Sequence, residues 1–119
     1  MTVLLLGEHQ ELSLYRVQAL EAEGFRVISP ASRNAALRAI KERQYDAAVL
    51  SYTLSNDTAQ ELAELVRESC PTCPLIAITE SPWADTKIQP DDSVVGKEGP
   101  QALVEALRRA SRQGLRRIK

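Results

Sequence analysis

The stretch Tyr45-Asp46-Ala47-Ala48-Val49-Leu50-Ser51 decides the fold of this chain. Its apolar run, Ala47 to Leu50, has the length of a strand and ends abruptly at a small polar residue. Because the run is apolar on both sides of the pleat, it is typical of a strand buried on both faces, as in a parallel sheet covered by helices. In such sheets functional sites lie just beyond the carboxyl ends of the strands, and Ser51 lies at that point.

The composition sets limits on the class of protein. A chain of 119 residues with 44% hydrophobic residues predicts one compact domain over residues 1–119. No apolar run approaches the roughly 18 residues that a membrane span needs, and the aliphatic stretch after Met1 is too short for a signal peptide. We therefore expect a cytoplasmic protein with no membrane contact.

Strand patterns and helix patterns alternate along the whole chain. Ser32 is predicted to cap the second helix, and Thr58 to cap the third, with Glu61 completing a capping box. The fourth helical pattern, after the fourth strand, is weak. Alternation of this kind predicts parallel pairing, and hence an α/β fold with a doubly wound, five-stranded sheet in flavodoxin-like order 2-1-3-4-5. The predicted strands are 2–6, 25–29, 45–50, 74–79 and 93–96, and the predicted helices are 10–23, 32–43, 58–68 and 99–113.

Five residues at the ends of predicted strands should converge at one edge of this sheet. They are Gly7, Glu8, Ser51, Thr79 and Lys97. The segments around them, Leu4 to His9, Tyr45 to Leu54, Ile76 to Thr79 and Val94 to Lys97, occur in the order and spacing of a known family. The chain resembles, over essentially its whole length, the receiver domain of two-component response regulators.

The resemblance implies a pocket that has lost its chemistry. Receivers take phosphoryl on an aspartate, with Mg²⁺ held by acidic side chains, and a hydroxyl residue and a lysine contact the phosphoryl oxygens. Thr79 and Lys97 match the last two, and Glu8 matches one acid of the pair. Gly7 falls at the other acid and Ser51 at the nucleophilic aspartate. We therefore expect no aspartyl phosphorylation, no enzyme activity, no cofactor and no useful Mg²⁺ site, since Glu8 alone remains as a ligand.

Further departures from the family concern its switch. Glu98 follows Lys97 where the family usually has proline after a cis peptide, and Val94 replaces an aromatic switch residue. The chain between Thr79 and Lys97 is short, so the fourth helix should be shortened or missing. Trp83, in this segment, is either a hydrophobic cover over the sheet edge or an exposed anchor for a partner.

Basic residues concentrate at the carboxyl end. Residues 105–119 hold six basic side chains and one acidic one, whereas the whole chain has a net charge of −1. Such a helix end is either a solvated surface or a contact for an acidic partner. With no aromatic or Gly-rich element interleaved, nucleic acid is an unlikely partner. The candidate partner-binding residues are Trp83, Arg108, Arg109 and Arg112.

The cysteine pair and the single histidine are predicted to have no catalytic or metal-binding role. Cys70 and Cys73 form a Cys-x-x-Cys that precedes a strand, and we interpret them as two loop thiols rather than a redox pair or a zinc site. His9, at a helix start, is interpreted as a surface or capping residue rather than as a base for Ser51.

These observations favour an atypical receiver-like signalling module that acts through protein–protein contact. Its partner would be a signalling or output protein, which includes a histidine kinase, and it would be a monomer or weak dimer. Two alternatives remain open. In one, the pocket is still modified, on Ser51 or a nearby acid, as a phosphorelay component. In the other, the sheet edge binds a small ligand, although the loops lack a Gly-rich phosphate cradle.

Overall fold

A computed structural model of the chain describes residues 1–81 and 88–117, with side chains described up to residue 112. Five parallel strands form one sheet in the order β2-β1-β3-β4-β5, which confirms the predicted doubly wound topology. The strands are β1 (Thr2–Leu6), β2 (Arg26–Ile28), β3 (Ala47–Ser51), β4 (Leu75–Thr79) and β5 (Asp92–Val95). The helices are α1 (Gln10–Ala22), α2 (Arg33–Glu42), α3 (Asn56–Ser69) and α4 (Pro100–Arg117), and a 3₁₀ turn covers Gly96–Glu98.

The sheet separates two hydrophobic clusters, because successive side chains of a strand point to opposite faces. Leu4 and Leu50 pack into the cluster beneath α2 and α3. Their neighbours Leu5 and Val49 pack into the cluster beneath α1 and α4. Every residue of β3 is buried. This two-sided burial explains why the middle strand is a continuous apolar run.

Helix boundaries correct one sequence prediction. Ser32 caps α2 as predicted, since its Oγ accepts the N–H of Ala35 at 3.1 Å. The cap of α3 is Ser55 rather than Thr58, and the Thr58 N–H donates to Ser55 Oγ at 3.3 Å. Glu61 therefore lies too far along α3 to complete a capping box. It forms an ion pair with Arg33 of α2 instead.

The connection from β4 to β5 is described only in part. Its described residues, 80, 81 and 88–91, contain no helix. Ile88 is buried against the α2–α3 cluster, and its carbonyl and that of Gln89 both accept from the Arg67 guanidinium. Trp83, and with it the prediction of a shortened helix around it, lies outside the described residues.

The two cysteines correct another prediction. Cys70 ends α3, and Cys73 precedes β4, as the sequence indicated. However, the two sulfur atoms are joined as a disulfide, so these are not independent loop thiols. Cys70 and Cys73, three residues apart on either side of a turn, have their Cα atoms 5.4 Å apart, within the range that a disulfide spans.

Across the part of the chain that is described, no helix combines the length and apolar character required to cross a membrane.

Candidate functional site

Ser51 is the last residue of β3 and is only 3% exposed. Three donors converge on its Oγ. The Arg16 Nη1 donates at 2.9 Å, the Thr53 hydroxyl at 3.2 Å and the Thr53 backbone N–H at 3.3 Å. Ser51 Oγ is therefore buried and accepts from three donors, and none of these neighbours is a base.

Sequence reasoning missed Arg16, together with its neighbours Tyr52, Thr53 and Gly96. Arg16 lies on α1, is 6% exposed, and reaches across to the carboxyl end of β3. Burial lowers the pKa of its guanidinium, and the neighbouring Tyr52 partly offsets this effect. An arginine remains charged in proteins even so. The spacing of Arg16 in the sequence could have indicated that it faces inward. It lies four residues after Leu12 and four before the buried Leu20, on the apolar face of the helix.

Tyr52 covers the guanidinium. The Arg16 Cζ lies 5.8 Å from the centroid of the Tyr52 ring, within cation–π range. This packing depends on Gly96. A Cβ added there would lie 2.9 Å from Tyr52 Cε1 and 3.5 Å from Arg16 Nη2. An added Cβ would push the Tyr52 ring aside, whereas it would meet the guanidinium at an ordinary contact distance.

Gly7 and Glu8 follow β1 and approach the same point. A Cβ on Gly7 would lie 3.0 Å from Thr53 Oγ1 and 3.1 Å from Ser51 Cβ, so this position is tightly packed. The Glu8 backbone N–H donates to Thr53 Oγ1 at 3.0 Å, whereas its side chain is exposed. His9 caps α1 as predicted, accepting the Leu12 N–H on Nδ1 at 3.2 Å.

The residues at this edge do not fit a divalent metal. Within residues 1–81 and 88–117, no three acidic, histidine or cysteine side chains come close enough to hold one. Glu8 is the only carboxylate among the predicted pocket residues. The guanidinium of Arg16 lies against Ser51, and a fixed cation disfavours a second one beside it.

Thr79 and Lys97 are placed at the same edge, but neither is among the hydrogen-bond partners of Ser51, which are Arg16 and Thr53. The Thr79 hydroxyl is directed to backbone carbonyls, those of Ser81 at 3.0 Å and Val94 at 3.3 Å. Lys97 lies in the 3₁₀ turn with an exposed side chain, and it forms no ion pair with Glu8. Among the described residues there is no cis peptide, including the bond from Lys97 to Glu98.

The basic residues of α4 are partly engaged within the chain. Arg109 Nη2 lies 3.0 Å from Asp92 Oδ2, at the start of β5, and Arg108 Nη2 lies 3.8 Å from Glu23 Oε1. Arg112 is exposed. Trp83 lies outside the described residues, so both interpretations of it, a cover over the sheet edge or an exposed anchor for a partner, stay predictions.

A groove of about 530 Å³ opens beside Gly7 and Glu8. It runs between α1 on one face of the sheet and α2 and α3 on the other, and the β2–α2 loop forms one wall. Its lining is mainly aliphatic, and includes Leu14, which is 58% exposed.

Comparison with solved structures gives the fold class. A CheY-like response regulator receiver domain protein from Methanospirillum hungatei superposes with a TM-score of 0.83 at 19% identity, covering 98% of this chain and 97% of its own. A Thermotoga maritima response regulator in complex with Mg²⁺-BeF superposes with a TM-score of 0.78 at 17% identity, covering 92% of this chain and 97% of its own. The receiver domain of a Pseudomonas aeruginosa sensor histidine kinase was solved with a magnesium ion in its active site cleft. It superposes with a TM-score of 0.73 at 19% identity, covering 91% of this chain and 94% of its own.

The chain therefore has the receiver-domain fold of two-component signalling proteins. No family model matches its sequence, and no curated protein does. At this level of identity the likeness establishes the fold, and what the site does must be argued from its own residues.

Proposed function

We propose that this chain is a single atypical receiver-like domain that takes part in two-component-type signalling without being phosphorylated on aspartate. It acts by protein–protein contact and has no enzyme activity. The observation that carries this proposal is the state of Ser51. A neutral hydroxyl, buried and held by three donors, stands at the end of the middle strand.

Ser51 is a poor nucleophile in these surroundings. Activation of a serine needs a base that removes its proton, and the groups around its oxygen are donors. Its 3% exposure also keeps it from a serine kinase, which needs access to the hydroxyl. This argues against the alternative in which Ser51 is modified as a phosphorelay component.

Incubation with acetyl phosphate and Mg²⁺, followed by intact-mass measurement, tests the proposal. We expect no phosphate adduct on the native protein. A Ser51→Ala variant is the matched control, since it removes the Ser51 hydroxyl and leaves the neighbouring Thr53 hydroxyl in place. A stoichiometric phosphate adduct on the native protein would overturn the proposal, and its loss or persistence in Ser51→Ala would assign it to Ser51 or to a nearby acid.

The contact surface should involve Trp83 and the basic end of α4. We expect Trp83→Ala and Arg112→Glu each to weaken partner recovery in pulldowns from the native host about tenfold, a loss typical of hot-spot residues. Tyr15→Ala and Arg38→Glu are controls, since both side chains are exposed on other elements. Equal recovery with all four variants would exclude both patches. A histidine kinase or an output protein is the expected kind of partner.

Small-ligand binding is a second candidate function, and the groove favours it. A volume of about 530 Å³ is in the range of ligand pockets, and the groove lies at the carboxyl edge of the sheet, where ligands of doubly wound folds bind. A visible absorbance band, or extra mass on the natively purified protein, would support this function. An apoprotein mass without absorbance would leave protein contact as the function.

A further inference from the structure

The buried guanidinium of Arg16 has no carboxylate partner within the described residues. Arg16 is only 6% exposed, and its guanidinium hydrogen-bonds to the neutral Ser51 Oγ and to the Tyr52 side chain, neither of which is a carboxylate. The ion pairs that the structure describes all involve other residues. Burying a charge without a counterion costs free energy, so a cation held in this way needs a structural reason.

The surroundings of Arg16 hold it in one place. Tyr52 lies over it with its ring face, and Gly96 allows the ring to approach closely. Ser51 receives one of its N–H groups, and Thr53 fixes Ser51 from the other side through its own N–H and hydroxyl. These contacts place a permanent positive charge at the end of β3.

The same three donors define what position 51 can accept. A guanidinium, a hydroxyl and a backbone N–H aimed at one point suit an anionic oxygen and repel a metal ion. A carboxylate placed at position 51 would be bound by Arg16. The positive charge of Arg16 would then neutralise this carboxylate and oppose a divalent cation shared between it and Glu8.

We propose that Arg16 is a built-in cation that occupies the electrostatic role of the metal at this edge, so that the pocket excludes divalent cations even when an aspartate is restored at position 51. The proposal differs from the loss of the aspartate alone. If the missing aspartate were the whole reason, its return would recover Mg²⁺ binding. If Arg16 blocks the site, Mg²⁺ binding returns only when Ser51 is replaced by aspartate and the charge of Arg16 is removed as well.

The stability of the variants tests this before any metal is added. In the Arg16 background, Ser51→Asp should have a higher urea midpoint than its neutral isostere Ser51→Asn, because Arg16 pairs with the new carboxylate. With Arg16→Met, which keeps an unbranched apolar stem but is shorter and removes the charge, the order should reverse. An unchanged order in both backgrounds would overturn the proposal.

Metal linkage then provides the second readout. A ligand that binds only the folded state raises its stability, so Mg²⁺ binding appears as an upward shift of the urea midpoint. Excess Mg²⁺ should leave Ser51→Asp unchanged and should raise the midpoint of the Ser51→Asp, Arg16→Met double variant. Equal shifts in both, or a shift in neither, would contradict a blocking role for Arg16.

Two controls keep the test decisive. Arg16→Lys with Ser51→Asp retains a positive charge and should remain insensitive to Mg²⁺. Arg16→Gln replaces Arg16→Met should the methionine variant fail to fold. None of these measurements depends on a partner, so the acetyl phosphate experiment on the native protein can fail or succeed independently of this one.

Discussion

At the scale of single residues, Tyr45 offers a direct test of burial energetics. The residue is 5% exposed, and its hydroxyl is buried with no hydrogen-bond partner among the described residues. A buried polar group without a partner costs about 1–3 kcal/mol. We expect Tyr45→Phe to raise the free energy of unfolding by about 1 kcal/mol in urea titrations. Tyr15→Phe, at an exposed position, should change nothing, and a destabilised Tyr45→Phe would show that the hydroxyl has a partner.

The same hydroxyl predicts a dependence on alkaline pH. Burial raises the pKa of Tyr45 in the folded chain, and Arg43 offsets this only in part. The unfolded chain therefore loses its proton first, and stability falls as pH rises above the unfolded value of about 10. We expect the native protein to lose stability through this range more steeply than Tyr45→Phe, measured as urea midpoints against pH. Parallel pH profiles would contradict a raised pKa.

Single residues are also where the sequence was least informative. The absence of a carboxylate at Ser51 could be read directly, because it follows an apolar run of strand length. The hydrogen-bond partner of Ser51 could not be predicted from the sequence, since Arg16 lies 35 positions earlier and on a different element. Periodicity places Arg16 on an inward face, but it does not say which strand end the side chain reaches. Only the tertiary arrangement supplies that contact.

At the scale of elements, the link between α3 and β4 is closed by the Cys70–Cys73 disulfide. A disulfide stabilises by restricting the unfolded chain, and a loop this short gives about 2 kcal/mol at most. We expect the Cys70→Ser, Cys73→Ser double variant to lose no more than about 2 kcal/mol. Dithiothreitol should lower the stability of the native protein to that of the variant and leave the variant unchanged. A response of the variant to the reductant would contradict this account.

Elements were predicted well where local chemistry fixes them. Ser32 is both the predicted and the observed cap of α2, and α2 ends before Arg43, which has a left-handed φ of 58°. The cap of α3 was predicted three residues too late, because Ser55 and Thr58 are both good caps and the sequence does not rank them. The ion pair between Glu61 and Arg33 joins α3 to α2, and no local pattern contains it.

At the scale of the whole molecule, the order of the strands followed from alternation of strands and helices together with right-handed crossovers. The convergence of Gly7, Ser51 and Thr79 at one edge follows from the same rule, since each stands at the carboxyl end of a strand or directly after one. What topology could not supply is how these side chains are used. Thr79 turns to backbone carbonyls, and Lys97 points to solvent.

The shared sheet predicts that both halves of the core unfold together. Leu4 and Leu5 are neighbours on β1, are 0% and 1% exposed, and pack into the clusters on opposite faces. Leu4→Ala and Leu5→Ala are therefore a matched pair, and each should cost about 2–5 kcal/mol in the free energy of unfolding. If the sheet couples the two faces, native-state hydrogen exchange should show that either variant lowers protection in α2 and α3 and in α1 and α4 by the same amount. A variant that lowers protection only on its own face would show that the chain contains two independently opening units and would contradict the proposal of a single domain.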